Sequence, residues 1–424
     1  MTSNRRLLDD CFLTDKERMT HGEALALITE RVAAVAGPET VPVTACEGRI
    51  LAESVVAPMD VPLSDNAAVD GYAYASSSYE ATGGFFPVVD RIAAGHPRHD
   101  PVPPGAAVRI FTGAAMPAGV DTVAMQEDCE THDQDRQAFV IVPPGLKPGA
   151  NRRRAGEDLK AGTLVMGEGI RLRAQEAASL ASFGRTGVQV RRRLRVATVS
   201  TGDEIVRPGA PIRPGQVYDS NQALLTALLA KAGAEVTDLG VLADRFDVIR
   251  DTLADAATRF DVIITSGGAS RGEEDHVVTA LDEIGRRHLW QIAVKPGRPM
   301  TLGQIGDCVF LGLPGNPVAV FACFLLYGLP LFARLEGAVW REPVRFPLPA
   351  AFEIARKKPD RREFLRGRLA TGADGRLVVE KFPRDGSGLI TGLREADGFI
   401  DIPEPVTAVA PGDLVSFVPF TGFF

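Results

Sequence analysis

The stretch DVIITSGGASRGEEDH, residues 261–276, decides the fold of this 424-residue chain. Its apolar start predicts a buried strand, Gly267-Gly268 breaks that strand, and a helical pattern begins at His276. A strand, a glycine turn and a helix N-terminus build an anion site in α/β folds, because glycines allow close backbone approach and unpaired N–H groups point at the ligand. The acidic residues 273–275 favour a hard cation beside the anion, since Mg²⁺ binds carboxylates together with phosphate oxygens. Taken alone, the stretch also fits a surface loop with capping acids.

The same alternation of strands and helices extends over residues 194–335. Predicted strands and helices alternate in the order 194–200, 221–232, 235–241, 245–259, 260–265, 275–285, 289–294, 308–313 and 317–329. This pattern predicts an α/β layered domain with a mostly parallel sheet. Ligands of such domains bind beyond the carboxyl ends of the strands. The residues that follow the predicted strands are therefore the candidate site: Ser200-Thr201-Gly202-Asp203-Glu204, Asp244, Ser266-Gly267-Gly268-Ala269-Ser270, Lys295-Pro296-Gly297-Arg298 and Pro314-Gly315-Asn316-Pro317.

Segments rich in β-strand patterns flank this central domain on both sides. Short apolar runs between Gly and Pro turns predict a compact β-rich domain before it and a β-barrel-like domain after it. The whole is predicted to be a multidomain α/β plus all-β protein. In chain order the predicted domains are a discontinuous linker domain, the β-rich domain, the α/β domain and the C-terminal domain: 18–57 with 157–193, 58–156, 194–338 and 345–424.

A predicted helix over residues 20–36 opens the discontinuous domain. Thr20 and Glu23 form a capping-box pair at its start, and Gly37-Pro38 is expected to end it. One face of this helix is apolar and carries Leu25, Ile28, Val32 and Val35. The sequence leaves open whether that face packs on its own chain or on a second copy.

Several loops outside the strand ends also carry candidate residues. Asp70 stands in an Asp-Gly turn, Thr112 stands in a loop of small residues, and Ser387 lies between two glycines. Each of these loops fits either a ligand contact or an ordinary turn. Asp219, Ser220 and Asn221 precede a predicted helix, so we expect them to cap it first and to contact a ligand second.

Composition restricts the classes of function. The 47 basic and 54 acidic residues give a net charge of −7, which argues against a nucleic-acid or membrane-surface binder. Five scattered cysteines and an N-terminus without an export signal favour a reduced, cytoplasmic chain. The uncharged stretch 308–333 is interrupted by prolines, so it predicts a strand, a turn and a buried helix rather than a membrane span.

Common catalytic signatures are missing. The sequence has no P-loop, no G-x-G-x-x-G after the first strand of the α/β region and no His/Cys cluster with zinc spacing. The chemistry must then use carboxylates, a divalent cation and phosphate-binding amides.

The chain resembles the molybdopterin molybdenumtransferases of molybdenum-cofactor biosynthesis. The resemblance covers about residues 18–335, with a looser match at Gly386-Ser387-Gly388. The motifs run in family order and are Asn66 with Val69-Asp70-Gly71-Tyr72-Ala73, Thr112-Gly113 with Met116-Pro117-Ala118-Gly119, Gly156-Glu157-Asp158, Ser200-Thr201-Gly202-Asp203-Glu204, Tyr218-Asp219-Ser220-Asn221, Ser266-Gly267-Gly268 with Ser270 and Asp275, Lys295-Pro296-Gly297, and Leu313-Pro314-Gly315-Asn316-Pro317.

This resemblance implies an elongated homodimer that acts on adenylylated molybdopterin and molybdate. The family cleaves the adenylate in a Mg²⁺-dependent step, places molybdenum on the dithiolene and releases AMP. Its cleft lies between the α/β domain of one subunit and the β-rich domain of the other, so Asp70 and Thr112 would enter from the partner. Further partners would be the adenylyltransferase that makes the substrate and molybdoenzyme chaperones.

The resemblance and the chemistry together assign roles to the candidate residues. Asp70, Thr112, Asp158, Glu204 and Asp275 are the catalytic candidates. The expected Mg²⁺ ligands are Glu204, Asp244 and Asp275. Substrate binding is assigned to Gly267, Gly268 and Ser270 as phosphate donors, to Lys295 and Arg298 as cations for phosphate or molybdate, and to Pro314, Gly315, Asn316 and Ser387.

The chain departs from the family pattern at a few positions. Ala67-Ala68-Val69 replaces the usual Ser-Ala-Met, Arg271 adds a cation after the glycine turn, and Arg298 replaces a lysine. Arginine keeps the charge but changes the geometry, since its planar fork holds an oxyanion through two parallel hydrogen bonds. These departures leave open the choice between molybdate and tungstate.

Two other functions compete with the transferase. A molybdopterin adenylyltransferase would use the same α/β domain, but it would not need the loops that carry Asp70 and Thr112. A non-catalytic scaffold resembling gephyrin would be expected to bring long linkers or an extra domain. The acidic residues at Asp70, Glu204 and Asp275 favour catalysis over a scaffold.

Overall fold

The computed structural model describes residues 19–267, 276–297 and 299–424. Within these residues the chain forms three six-stranded sheets and several two-stranded ribbons. The middle sheet is the α/β core that the strand-and-helix alternation predicts, and β-rich regions lie before and after it in the sequence. The predicted fold class is confirmed.

The N-terminal part combines one six-stranded sheet with ribbons that join distant segments. Its helices are α1 (His21–Arg31), α2 (Tyr79–Thr82) and α3 (Ala174–Ser182). Its strands are β1 (Pro38–Pro42), β2 (Val55–Val56), β3 (Asn66–Ala67), β4 (Gly71–Tyr74), β5 (Phe85–Ile92), β6 (Ala107–Ile110), β7 (Thr122–Met125), β8 (Glu130–Gln134), β9 (Gln137–Ile141), β10 (Arg152–Arg153), β11 (Leu164–Met166) and β12 (Gly187–Arg191).

Pairing between β1 and β12 and between β2 and β11 joins the first strands to the segment around α3. A shared apolar core that includes Leu51, Leu172 and Leu180 lies between them. Strands β3 and β10 pair as a separate ribbon. The remaining strands form the sheet β7-β4-β6-β5-β9-β8, which buries apolar side chains on two separate cores. The six-stranded sheet is therefore an insertion between the two sequence segments that form the unit around α3.

Helix α1 begins as predicted but ends early. The capping box between Thr20 and Glu23 is confirmed. The predicted end near residue 36 is wrong, because Val32 already has extended backbone angles. The amides of Val35 and Ala36 both donate to the carbonyl of Leu335, at 2.8 and 3.2 Å. Hydrogen bonds to another helix thus replace those that would have continued α1.

The α/β core has helices on both faces of its sheet. The helices are α4 (Ser220–Ala232), α5 (Phe246–Ala257), α6 (His276–Ile284), α7 (Pro317–Cys323) and α8 (Leu329–Glu336). The strands are β13 (Arg195–Thr201), β14 (Ile205–Val206), β15 (Val217–Tyr218), β16 (Glu235–Leu242), β17 (Val262–Ser266), β18 (Arg286–Gln291), β19 (Val294–Lys295), β20 (Pro299–Ile305) and β21 (Cys308–Leu313).

The sheet order is β16-β13-β17-β21-β20-β18, and β16, β13, β17 and β21 run parallel. Alternate residues of β17 face opposite cores, with Ile264 packed beside α4 and α7 and Ile263 packed beside α5 and α6. Burial on both faces explains why this strand is an unbroken apolar run. The mostly parallel sheet is confirmed.

The predicted strand 289–294 is wrong in extent. The chain forms β18 and then pairs it antiparallel with β20, a strand that the sequence does not predict because Pro299 and Gly303 resemble loop residues. Gly303 is required there, since a Cβ would lie 2.8 Å from the carbonyl of Arg286. Val294 and Lys295 leave this sheet and pair with a strand of the C-terminal domain.

The helix after β21 is longer than its prolines predict. It continues from Pro317 to Glu336, beyond the predicted end at residue 329, through a π-helical turn at Phe324–Gly328. A π-turn accommodates the missing N–H of Pro330, which explains why the helix does not stop there. By length and composition this helix could cross a membrane, but 89% of its most apolar window is buried inside the protein, as in a core helix.

The C-terminal region is a curved six-stranded sheet that includes β19. Its elements are β22 (Phe346–Pro349), β23 (Arg362–Thr371), β24 (Leu377–Lys381), α9 (Thr391–Arg394), β25 (Gly398–Ile402) and β26 (Leu414–Pro419). The order is β19-β23-β25-β26-β22, with β24 also paired to β23. A bridge between Ala350 and Val379 connects the end of β22 to β24. The sheet therefore curves until these two strands meet. Phe364 and Phe399 of this sheet pack into the α/β core, so the two domains share apolar contacts.

Candidate active site

Three carboxylates lie at the carboxyl ends of β13 and β16. Asp203 and Glu204 follow β13, Asp244 follows β16, and the amide of Asp244 donates to Oδ1 of Asp203 over 3.2 Å. Gly202 has a φ of +131°, and a Cβ there would lie 2.5 Å from Oε2 of Glu204. The glycine therefore lets the Glu204 carboxylate fold back over the turn. Asp203 is one of the strand-end residues that the sequence predicts for the site, although the assigned roles fall on Glu204 and Asp244.

The glycine turn after β17 lies beside two neighbouring strand ends. Gly267 has a φ of +97°, and its amide donates to the carbonyl of Leu313 over 3.1 Å. This amide takes part in the sheet, and the role of Gly267 as a phosphate donor stays a prediction. A Cβ at Gly267 would lie 3.1 Å from the Thr201 carbonyl, which shows how closely the backbones approach. Five predicted residues of this site, Gly268, Ala269, Ser270, Asp275 and Arg298, lie outside the described residues.

Helix α4 begins against the turn that follows β21. The carboxylate of Asp219 accepts the amide of Gln222 at 3.0 Å, so its predicted capping role is confirmed. Asn221 is buried, and its side-chain amide donates to the Gly315 carbonyl over 2.7 Å. Asn221 thus fixes the predicted Pro314–Pro317 turn close to Gly267. Sequence reasoning assigned Asn221 a cap first, and only the tertiary contact reveals this second role.

The carboxyl ends of the parallel strands form one edge of the α/β sheet, which we call the strand-end edge. A cavity of about 290 Å³ lies between this edge and the C-terminal domain. The predicted residues Lys295, Pro314, Asn316 and Ser387 all line it. The C-terminal domain adds cations that the sequence analysis missed, because no local pattern shows that strands β23 and β24 face this edge. They are Arg361, Arg366 and Lys381.

The cavity has an excess of positive charge. Its lining carries those cations and Lys295 against the carboxylate of Asp385. Nζ of Lys381 lies 2.6 Å from Oδ1 of Asp385, and Nζ of Lys295 lies 3.5 Å from its Oδ2. Burial would raise the pKa of Asp385, but the hydrogen bond from Lys381 and the charge of Lys295 bring that pKa below its ordinary value. The lining is therefore suited to an anion.

Arg366 is the most firmly held of these cations. It is 6% exposed, its Nη1 donates to the Leu389 carbonyl over 3.0 Å, and its Nη2 donates to the Arg384 carbonyl. Its guanidinium also stacks 4.7 Å from the centre of the Phe382 ring. Burial lowers the pKa of Arg366, but a guanidinium starts so high that it stays protonated near neutral pH. The cavity thus contains a charge that is fixed before any ligand binds.

Asp70 and Thr112 form a second group, on the β-rich sheet. Asp70 precedes β4 and Thr112 follows β6, and these strands pair directly. Both the amide and the hydroxyl of Thr112 donate to Oδ1 of Asp70, at 2.8 and 2.7 Å. These two hydrogen bonds hold the pKa of the Asp70 carboxyl below its ordinary value. The structure thus brings together two catalytic candidates that are distant in the sequence.

The remaining candidates are not joined within one chain. Asp158 is exposed, and its amide donates to the Val61 carbonyl over 3.0 Å. Among the described residues, no hydrogen bond or ion pair links Asp70, Thr112 or Asp158 to the carboxylates at the strand ends. The candidate residues therefore fall into separate groups within a single subunit: the Asp70–Thr112 pair, Asp158, the strand-end edge and the cavity next to that edge.

Comparisons with known proteins agree with this architecture along the chain. Residues 19–184 match the MoeA N-terminal region (domain I and II), residues 197–334 match a probable molybdopterin binding domain, and residues 348–420 match the MoeA C-terminal region (domain IV). A molybdopterin molybdenumtransferase of Haemophilus influenzae is 36% identical over 373 residues, which cover 88% of this chain and 91% of that protein. One from Nostoc is 39% identical over 316 residues, 72% of this chain and 71% of that protein.

A solved structure shows the same fold. The molybdopterin biosynthesis MoeA protein of Pyrococcus horikoshii superimposes with a TM-score of 0.80 at 27% identity, covering 95% of this chain and 100% of that one. The fold and the site define a multidomain enzyme with a ligand-binding α/β core. The chain belongs to the molybdopterin molybdenumtransferase family. The resemblance seen in the sequence motifs is confirmed.

Proposed function

We propose that this enzyme inserts molybdenum from molybdate into adenylylated molybdopterin and releases AMP in a Mg²⁺-dependent step. The observation that carries the proposal is the cationic cavity at the end of β21, on the same edge of the α/β sheet as the carboxylates that follow β13 and β16. That edge offers an oxyanion site together with a place where a phosphate ester and a cation can bind. A reduced, cytoplasmic setting is part of the proposal, and the four cysteines of the described part are free.

The cavity is the proposed molybdate site. Molybdate carries its charge on several oxygens, and a fixed guanidinium binds such an oxyanion through parallel N–H groups. Arg366 and Lys295 supply charge from the two sides, and Ser387 supplies a hydroxyl. Because backbone carbonyls already orient Arg366, binding would require little reorganisation.

The strand-end carboxylates fit a hard cation. Mg²⁺ is commonly held by one or two carboxylates together with substrate phosphates, and Glu204 and Asp244 stand with Asp203 at one edge. No group of three or more His, Cys, Asp or Glu side chains suited to a metal is found in residues 19–267, 276–297 and 299–424. Asp275, the third proposed ligand, lies outside them. When bound, the cation would offset charge on the phosphate bond being broken.

The separation of Asp70 and Thr112 from the strand-end edge supports a site shared between two subunits. The proposal places the Asp70–Thr112 pair of one subunit opposite the carboxylate edge of the other in a homodimer. The geometry of each pair would be set within its own subunit, since Thr112 already fixes one oxygen of Asp70. The adenylyltransferase that supplies the substrate and the chaperones that take the product are proposed as transient partners.

The test is AMP release from adenylylated molybdopterin by the purified protein with Mg²⁺, with and without molybdate. We expect molybdate to stimulate AMP release and active cofactor to be recovered. Tight binding without release would contradict the proposal and favour a scaffold. Release of pyrophosphate from ATP would instead indicate an adenylyltransferase, a function that the family matches do not favour.

A further inference from the structure

Asp70 is held in place at both its side chain and its main chain. The two hydrogen bonds from Thr112 fix Oδ1, and the amide of Gln126 donates to the Asp70 carbonyl over 3.1 Å. The side chain itself is only half-buried, so surrounding atoms confine it only in part. Its orientation therefore depends on how well Thr112 and Gln126 are themselves positioned.

Arg109 connects the segments that hold Asp70. It lies on β6 directly opposite Tyr72 of β4. Its Nη1 donates to the carbonyl of Gly71 over 3.2 Å, and its Nη2 donates to Oε1 of Gln126. One guanidinium thus joins the residue that follows Asp70 to the residue whose amide binds the Asp70 carbonyl.

The guanidinium of Arg109 is also stacked between two rings. Its central carbon lies 4.9 Å from the ring centres of both Tyr72 and Phe111. Arg91 approaches the Phe111 ring at 4.4 Å. Because Phe111 immediately precedes Thr112, this stack also restrains the loop that donates to Asp70. Only a planar, forked cation can stack on two rings and donate in two directions, so lysine is a poor substitute.

We propose that Arg109 is a positioning residue that holds Asp70 and Thr112 in the geometry that the reaction requires. This inference deepens the proposed function, since it takes Asp70 as a residue of the reaction site. Arg109 acts through Gly71, Gln126 and Phe111 and has no assigned contact with substrate. Its bonds fix the ends of β4 and β6 rather than the apolar cores of the sheet, so its loss should loosen the Asp70 loop and leave the fold intact.

The experiment compares Arg109→Met and Arg109→Lys with a control, Arg98→Met. Arg98 lies in the same region and pairs with Asp90, away from Asp70. The first readout is hydrogen exchange of the peptide that contains the Thr112 amide, which needs no enzyme activity. We expect both Arg109 variants to speed exchange there by about tenfold or more, while Arg98→Met leaves it unchanged.

The second readout is molybdate-stimulated AMP release. We expect Arg109→Met to lower kcat by about 10- to 100-fold with a smaller change in KM, because a small misplacement of a catalytic group acts on the transition state. Arg109→Lys should not restore the rate. Full rescue by lysine would overturn the proposal, since charge alone would then be sufficient.

The two readouts separate the two proposals. Unchanged exchange at Thr112 in Arg109→Met would overturn the positioning role whatever the activity. Faster exchange in a protein whose parent form releases no AMP would support the positioning role and overturn the proposed function. Faster exchange with an unchanged kcat would also overturn the inference, because a loosened Asp70 would then have no effect on the reaction.

Discussion

The cavity beside the α/β sheet and the Asp70–Thr112 pair differ in how the protein prepares them. Arg366 in the cavity is buried and donates to two backbone carbonyls. Asp70 is half-buried and is held by hydrogen bonds from a neighbouring loop. Within the described residues of one chain, several cations converge on the cavity, whereas no hydrogen bond reaches Oδ2 of Asp70. Substitutions in the cavity should therefore affect folding and binding together, and substitutions at Asp70 should affect turnover alone.

Gly297→Ala should have the largest effect on stability. A Cβ at this position would lie 2.2 Å from Sγ of the buried Cys323, on a backbone with a φ of +106°. Overpacking and backbone strain together should lower the free energy of unfolding by about 3 kcal/mol or more. Chemical denaturation measures the change. Gly306→Ala is the control, since its φ is +58° and nothing lies within 4 Å; equal losses in both variants would contradict the packing argument.

Arg366→Met should weaken both stability and oxyanion binding. Loss of the hydrogen bonds from this buried guanidinium to the Leu389 and Arg384 carbonyls should lower the free energy of unfolding by about 2 kcal/mol. Loss of the fixed charge should weaken molybdate binding by about tenfold or more, measured by calorimetry on the purified protein. The matched control is Arg368→Met on the same strand, because Arg368 is exposed and pairs with Glu380. Equal affinity in the two variants would place the oxyanion elsewhere.

Glu336→Gln tests a buried carboxylate outside the proposed site. Burial, opposed by Arg171, raises the pKa of Glu336 from its ordinary 4.5 to about 7. The folded state thus keeps a proton that the unfolded state loses, and stability falls as the pH rises from about 4.5 to about 7. Gln should remove this pH dependence and raise the free energy of unfolding at pH 8 by about 1 kcal/mol. Denaturation of the parent protein and of Glu336→Gln at pH 5 and pH 8 measures how the free energy of unfolding depends on pH. The same change with pH in both proteins would contradict the raised pKa.

Asp70→Asn should have the smallest effect on stability. The side chain is half-buried and Asn keeps an Oδ1 that can accept both bonds from Thr112, so the free energy of unfolding should change by less than about 0.5 kcal/mol. If Asp70 acts as an ionised carboxylate, AMP release should fall by about 100-fold or more. Paired measurements of unfolding and of kcat separate the two effects. An Asp70→Asn protein with the parent's rate would remove Asp70 from the proposed site.

Local patterns predicted much of the fold and one edge of the site. Alternating apolar runs and strand-end loops are properties of neighbouring residues, so they located β13, β17 and β21 and the positions of Glu204 and Asp244. The strand β20 was missed, since its pairing with β18 overrides its local composition. The helix that passes Pro330 was also underestimated, because a π-turn supplies what the proline removes.

Residues that meet only through tertiary structure could not be predicted in the same way. Arg366 and Lys381 lie on strands of the C-terminal domain, and nothing in their local sequence shows that they face the edge beyond β21. Arg109 resembles an ordinary strand residue until its partners at Gly71 and Gln126 are known. The link between Asp70 and Thr112 required the pairing of β4 with β6.

Complementation between two variants that are impaired in different parts of the proposed site would test the shared site most directly. Asp70→Asn and Arg366→Met proteins would be unfolded and refolded together, and molybdate-stimulated AMP release would then be measured. In a homodimer whose site combines two chains, mixed dimers contain one intact site, so random mixing should restore about a quarter of the parent activity. Activity no higher than that of either variant alone, with mixed dimers shown to form, would contradict a site shared between two subunits.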